Sequence, residues 1–150
     1  MRKQKGFSII DTLVTIALII LVIVLIFILF YFAGKESRDV KRISDVDVLR
    51  STMARVKVQT GSFAEVACAA GAVYDCRGGL FERVLPTVRN FRDPRGEVLC
   101  VNNCTESCQY SFSESPTVNN YEVLFFLETG VGNYPEKGCY KLTQDGIEKR

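Results

Sequence analysis

The sequence contains no histidine and no tryptophan in its 150 residues. Without histidine the chain lacks the side chain that most often acts as a general base near neutral pH, and the commonest metal ligand with it. Acid–base chemistry would fall to Asp, Glu, Lys or Cys, and no nucleophile–base motif joins them, so an enzyme is not expected. Proline is scarce, at four residues, and none lies between Phe7 and Thr60. Nothing there removes a backbone donor from a helix or kinks it. Charge of one sign is also missing: 19 Lys plus Arg stand against 17 Asp plus Glu. A strongly basic protein that binds nucleic acid is therefore not indicated.

What is present begins with a long apolar run. Seventeen of the twenty residues from Leu13 to Phe32 are Leu, Ile, Val or Phe. At the usual gain per residue, insertion into a bilayer is favoured by about 8 kcal/mol. Asp11, near the start, opposes it by about 3 kcal/mol at most. The run exceeds the roughly 7–15 apolar residues of a cleaved secretory signal. Its exit, Tyr31-Phe32-Ala33-Gly34-Lys35, places an aromatic where a signal peptidase needs a small residue. The segment reads as a retained membrane anchor, preceded by the basic residues Arg2, Lys3 and Lys5 and by Gly6.

A lone anchor has no use for a carboxylate inside its apolar start, other than letting it reach the headgroups. A helix packed against copies of itself does. Unpaired, that carboxylate is costly in low dielectric, so a partner for it would set the axial register. If the chain were cut after Gly6, the new amine of Phe7 in one copy would be such a partner for Asp11 of the next.

The stretch Lys5-Gly6-Phe7-Ser8-Ile9-Ile10-Asp11-Thr12-Leu13-Val14 resembles the class III leader of type IV prepilins and type II secretion pseudopilins. That resemblance implies a prepilin peptidase that cuts between Gly6 and Phe7 and N-methylates Phe7. It implies an assembly contact through Asp11, where the family usually carries the longer Glu. It also implies a helical homo-oligomeric filament raised by an inner-membrane assembly platform from subunits held in membrane lipid. Localisation follows as a single-pass cytoplasmic (inner) membrane protein with its N-terminus cytoplasmic and its domain extracytoplasmic, then a cell-surface or periplasmic filament. The cations after the anchor, Lys35, Arg38, Lys41 and Arg42, leave the positive-inside count undecided. The leader resemblance and the cysteine distribution supply the orientation. The competing reading is a single-pass anchored extracytoplasmic binding domain that never polymerises.

Past Gly34 the pattern turns amphipathic. Val40, Ile43, Val46, Leu49, Met53 and Val56 recur at steps of three or four, with Arg38, Asp39, Lys41, Arg42, Asp45, Asp47 and Arg50 between them. The charged positions read as a solvated face, and Gly61 as the helix stop. The expected layout is a leader at 1–6, a transmembrane or filament-core helix at 7–34, an amphipathic continuation at 35–61 and an exported globular domain at 62–150. The fold class expected is α+β, a long N-terminal helix packed on a small antiparallel sheet, with strands at 97–101, 109–113, 121–128 and 139–143 and a short helix at 80–85 before Pro86. The turn Asp93-Pro94-Arg95-Gly96 and the segment Tyr121–Glu128 also resemble the sheet region of pilins and pseudopilins.

All six cysteines, Cys68, Cys76, Cys100, Cys104, Cys108 and Cys139, follow the apolar run. An even number in a small domain behind a membrane segment reads as disulfides in an oxidising compartment. Cys68 and Cys76 are spaced to close a short loop, Cys139 requires a distant partner, and the other pairings stay open. No metal site is expected: Cys100-x3-Cys104-x3-Cys108 lacks the tighter pairs of zinc knuckles. Asn103-Cys104-Thr105 fits a glycosylation sequon. No cofactor is required, although likeness to major pseudopilins allows calcium at some of Asp93, Glu128, Asp145 and Glu148, without EF-hand spacing.

Overall fold

The computed structural model describes residues 9–150, and the chain divides into two units, Met1–Lys35 and Glu36–Arg150. One α-helix, α1 (Ile9–Thr60), supplies the described part of the first unit and opens the second. Gly61 ends it: its φ of +77° suits a residue without Cβ, and its N–H donates to the Lys57 carbonyl at 2.8 Å. Behind α1 come β1 (Gly71–Ala72), α2 (Gly79–Val84), β2 (Ser111–Phe112), β3 (Val123–Leu127), β4 (Gly138–Thr143) and β5 (Gly146–Lys149). Short 3-10 turns at Ala64–Val66, Val73–Asp75 and Val88–Asn90 link the first of these. The five strands form one antiparallel sheet in sequential order, a meander. The α+β expectation holds.

The apolar stripe of α1 packs on one face of that sheet. Val46, Leu49, Met53 and Val56 are fully buried, in one cluster with Phe81, Tyr110, Val123, Phe125, Leu127 and Leu142. Each such side chain, wholly removed from water, contributes about 1.5–3 kcal/mol. All five residues of β3 are buried. Side chains alternate along a strand, so β3 must be covered on both faces. Val123, Phe125 and Leu127 meet the helix-side core, while Leu124 and Phe126 pack with Cys100, Cys104 and Cys108.

The cysteines pair as Cys68–Cys76, Cys100–Cys108 and Cys104–Cys139. The first closes the short loop expected of it, and Cys139 takes the distant partner. Cys139 lies on β4 directly opposite Phe126 of β3. The Cys104–Cys139 bond therefore clips residues 100–108 over the outer face of the sheet, where Leu124 and Phe126 need a lid.

Several expectations need correction. Residues 97–101 form no strand; Leu99 makes one parallel bridge to Gln109. The Cys100–Cys108 bond turns the chain back after Cys100, leaving no length for a ladder. Gly96 tightens the same corner, since a Cβ there would run into the Cys108 backbone. The strand expected at 109–113 shortens to Ser111–Phe112. The edge strands β1 and β5 fall in segments too short or too rich in Gly and charge to show an alternating pattern.

Because the outer lid is held by a disulfide, the double variant C104S/C139S is expected to lose about 2–5 kcal/mol of stability. Chemical denaturation of the intact chain in detergent measures this. Increased binding of an apolar dye is expected alongside, as Leu124 and Phe126 open to solvent.

Candidate functional site

The first candidate is the N-terminal half of α1. Its large side chains from Ile9 to Phe32 are exposed on every side, and no residue of its most apolar 18-residue window is buried within the chain. A helix that is apolar all round needs an apolar environment from outside itself. This one is long and apolar enough to cross a membrane. Asp11 sits exposed in its first turn, and its carbonyl accepts from the Thr15 hydroxyl at 2.8 Å. The processing residues Gly6 and Phe7 lie outside the described residues. At the other end of the run, Lys35 Nζ stands 4.3 Å from the centre of the Tyr31 ring.

The second candidate is a charged cluster within the globular unit. Arg42 and Asp39, assigned from the sequence to the solvated face of α1, are completely buried, whereas Val40 from the expected apolar stripe is half exposed. The buried face runs through positions 39, 42, 46, 49, 53 and 56, an unbroken alternation of three- and four-residue steps. Arg42 uses all five of its N–H donors. Nε and Nη2 bond Asp93 at 2.5 and 2.9 Å, Nη1 bonds Asp39 and Glu128 at 2.8 Å each, and Nη2 also reaches Ser107 Oγ at 3.2 Å. The two bonds to Asp93 form the planar bidentate pair that only a guanidinium can make.

Each carboxylate has further work. Asp39 accepts from the backbone N–H groups of Glu128, Thr129 and Gly130 at 2.8–3.0 Å and from the Thr129 hydroxyl at 2.9 Å, so it caps the end of β3. Asp93 accepts from the N–H groups of Arg95 and Gly96 at 2.8 and 2.6 Å, which sets the turn the sequence signalled. Glu128 takes two bonds from Arg38, at 2.8 and 2.7 Å. Gln109, also buried, stitches the turn to β2: its side-chain carbonyl accepts from the Asp93 N–H at 3.0 Å, and its amide donates to the Gly96 carbonyl.

Electrostatics follow from that geometry. Burial alone would raise the Asp39 carboxyl, but the N–H groups of Glu128 and Thr129 and then Arg42 outweigh it and hold it below its ordinary value. The bonds from Arg38, against burial and with help from Arg42, hold Glu128 at about 2. Burial opposes the charge on Arg42, yet its three carboxylate partners raise its pKa above the usual arginine value. Tyr110, pushed up chiefly by burial and then by Asp45, donates to Asp45 at 3.1 Å.

The sequence therefore placed Asp93 and Glu128 among calcium ligand candidates, and the structure brings these two together around Arg42 instead. Asp145 and Glu148 line a separate groove on the β4–β5 side, so the four do not form one group. Among the described residues, the one cluster of three metal-ligating side chains is Cys100, Cys104 and Cys108. All three are in disulfides, so none offers a thiolate. Asn103 of the sequon is exposed, in a left-handed backbone conformation (φ +63°). No family model, curated protein or solved structure matches the chain.

Two outcomes are expected. Replacing Arg42 by Ala leaves Asp39, Asp93 and Glu128 buried without their shared cation, and should cost about 3–5 kcal/mol in chemical denaturation. Glu128 and Asp39 hold protons less readily folded than unfolded, so the stability they provide is present above about pH 4.5 and falls as the pH drops toward 2. Glu128 accounts for about 3 kcal/mol of this at most. In E128Q the acid slope should flatten, while the parent shows it in full.

Proposed function

We propose that this chain is a structural subunit of a type IV pilus or a related pilus-like filament. The observation that carries the reading is a single carboxylate, Asp11, in the first turn of a helix whose N-terminal half is otherwise apolar on every side, five residues after Gly6 of the Gly6-Phe7 junction. In this reading the basic leader holds the precursor in the cytoplasmic membrane with its N-terminus inside. A prepilin peptidase cuts after Gly6 and methylates Phe7. The apolar helices then bundle, and Asp11 of one subunit meets the free amine of the next.

Chemistry favours such an arrangement. In a bilayer the apolar surface is already out of water, so moving subunits into a bundle gains little hydrophobic free energy. Packing and a register-setting ion pair must supply the preference. Cleavage also removes Arg2, Lys3 and Lys5, leaving 16 basic against 17 acidic side chains. Near-neutral subunits repel one another little. The disulfide-clipped domain suits an oxidising exterior.

Mass spectrometry of the protein isolated from membranes is expected to find a chain beginning at N-methylated Phe7. An intact Met1 end would overturn this reading in favour of a plain anchored binding domain. In cells, Asp11→Ala should reduce filament number by about tenfold or more while membrane insertion stays unchanged. Unaltered filaments would remove the pairing role.

A further inference from the structure

Cys104 differs from the other five cysteines. Cys68, Cys76, Cys100, Cys108 and Cys139 are all buried, at 2–6% exposure, while Cys104 is half-buried. It opens on a groove of about 390 Å³ that Asn103, Thr105, Phe126, Lys137, Cys139 and Lys149 also line. A second groove passes Cys68 and Cys76, but there both residues are buried.

Exchange at a disulfide begins with attack by a thiolate on one sulfur, and access helps select which sulfur that is. At Cys104–Cys139 access selects Cys104. Cys139 Sγ is then the leaving group, and it already accepts the backbone N–H of Cys104 at 3.2 Å. A donor aimed at sulfur favours the departing thiolate. Lys137 is exposed in the same groove and has no carboxylate within 4.0 Å among the described residues. Its charge acts in the same sense.

A second feature adjoins the first. Cys104 Sγ lies within 4.8 Å of the sulfurs of both Cys100 and Cys108, which are bonded to each other. That group of three does not include Cys139. A thiolate formed at Cys104 therefore stands beside an intact disulfide.

We propose that Cys104 is a thiol-exchange site whose substrate is an external dithiol, and that it relays exchange to Cys100–Cys108. One thiolate of the dithiol bonds to Cys104 Sγ, and the bond to Cys139 breaks with its electron pair going to Cys139. The second thiolate then attacks the dithiol's own sulfur in the mixed disulfide. The dithiol leaves as a cyclic disulfide, oxidised by two electrons, its protons pass to solvent, and Cys104 remains as a thiolate. That thiolate attacks Cys100 or Cys108. One new bond forms, Cys100–Cys108 breaks, and the displaced sulfur takes the charge, with no net oxidation or reduction in this step. In the native pairing Cys139, on β4, withholds Cys104 from its two neighbours. The site thus controls the clip over Leu124 and Phe126. The inference goes beyond the filament reading and does not rest on it.

The test treats the intact chain in detergent with less than one equivalent of dithiothreitol, followed by rapid alkylation and peptide mapping by mass spectrometry. Label should appear at Cys139 and across Cys100, Cys104 and Cys108 about tenfold faster than at Cys68 and Cys76. A second measurement isolates the relay. The variants C139S and C104S each lose the same disulfide and keep one unpaired cysteine. In oxidised C139S the label should divide among Cys100, Cys104 and Cys108. In oxidised C104S it should stay on Cys139. Label confined to Cys104 in C139S would overturn the proposal, as would equal spreading in both variants. So would first reduction of Cys68–Cys76 in the parent, whose labelling order stands whether or not either variant folds.

Discussion

One buried guanidinium organises the globular domain. Arg42 projects from α1 and is completely buried, and the cost of desolvating it is met by a full complement of acceptors. Those acceptors come from four separate parts of the chain. Asp39 is a turn earlier on the same helix, Asp93 belongs to the turn before the cysteine clip, Ser107 to the clip itself and Glu128 to the end of β3. Satisfying that cation brings those four segments into hydrogen-bond reach of one guanidinium. The cluster thus ties helix, turn, clip and sheet together through directional bonds, which apolar contacts lack.

The rest of the domain solves a problem of area. A five-stranded sheet with edge strands of two and four residues is small, and its central strand β3 is apolar on both sides. The helix covers one side. With so few residues left, the other side is covered by a short loop whose position is maintained by Cys100–Cys108 and Cys104–Cys139. Disulfides take the place of a second layer of secondary structure, as expected where a chain cannot bury enough surface by itself. Meanwhile, among the described residues, nothing buries the most apolar window of α1. It is long and apolar enough to take that cover from a membrane, and in the proposed filament other copies provide it.

Much of this was legible in advance. The apolar run, the helix end at Thr60, the short helix before Pro86, the 93–96 turn and the three inner strands all follow from local pattern. The burial of Asp39 and Arg42 was not read, although a signal existed. They fall in phase with Val46, Leu49, Met53 and Val56 better than Val40 does. Charge at those positions argues for solvent until the acceptors are known, and Asp93 and Glu128 lie 51 and 86 residues from Arg42. Strand 97–101 failed for a related reason. Its residues favour extended structure, but a disulfide eight residues long leaves no room for it.

The sequence by itself determined the elements whose causes are local: a run of apolar side chains, a helical period, a glycine stop, a proline turn. It also supplied the Gly6-Phe7 junction and Asp11, on which the proposed function rests. Only the tertiary structure decided which cysteines pair and which charges are buried. Those depend on groups distant in sequence arriving within a few ångströms of one another. A carboxylate reads as solvated or as a buried ligand of Arg42 according to neighbours that no local window contains.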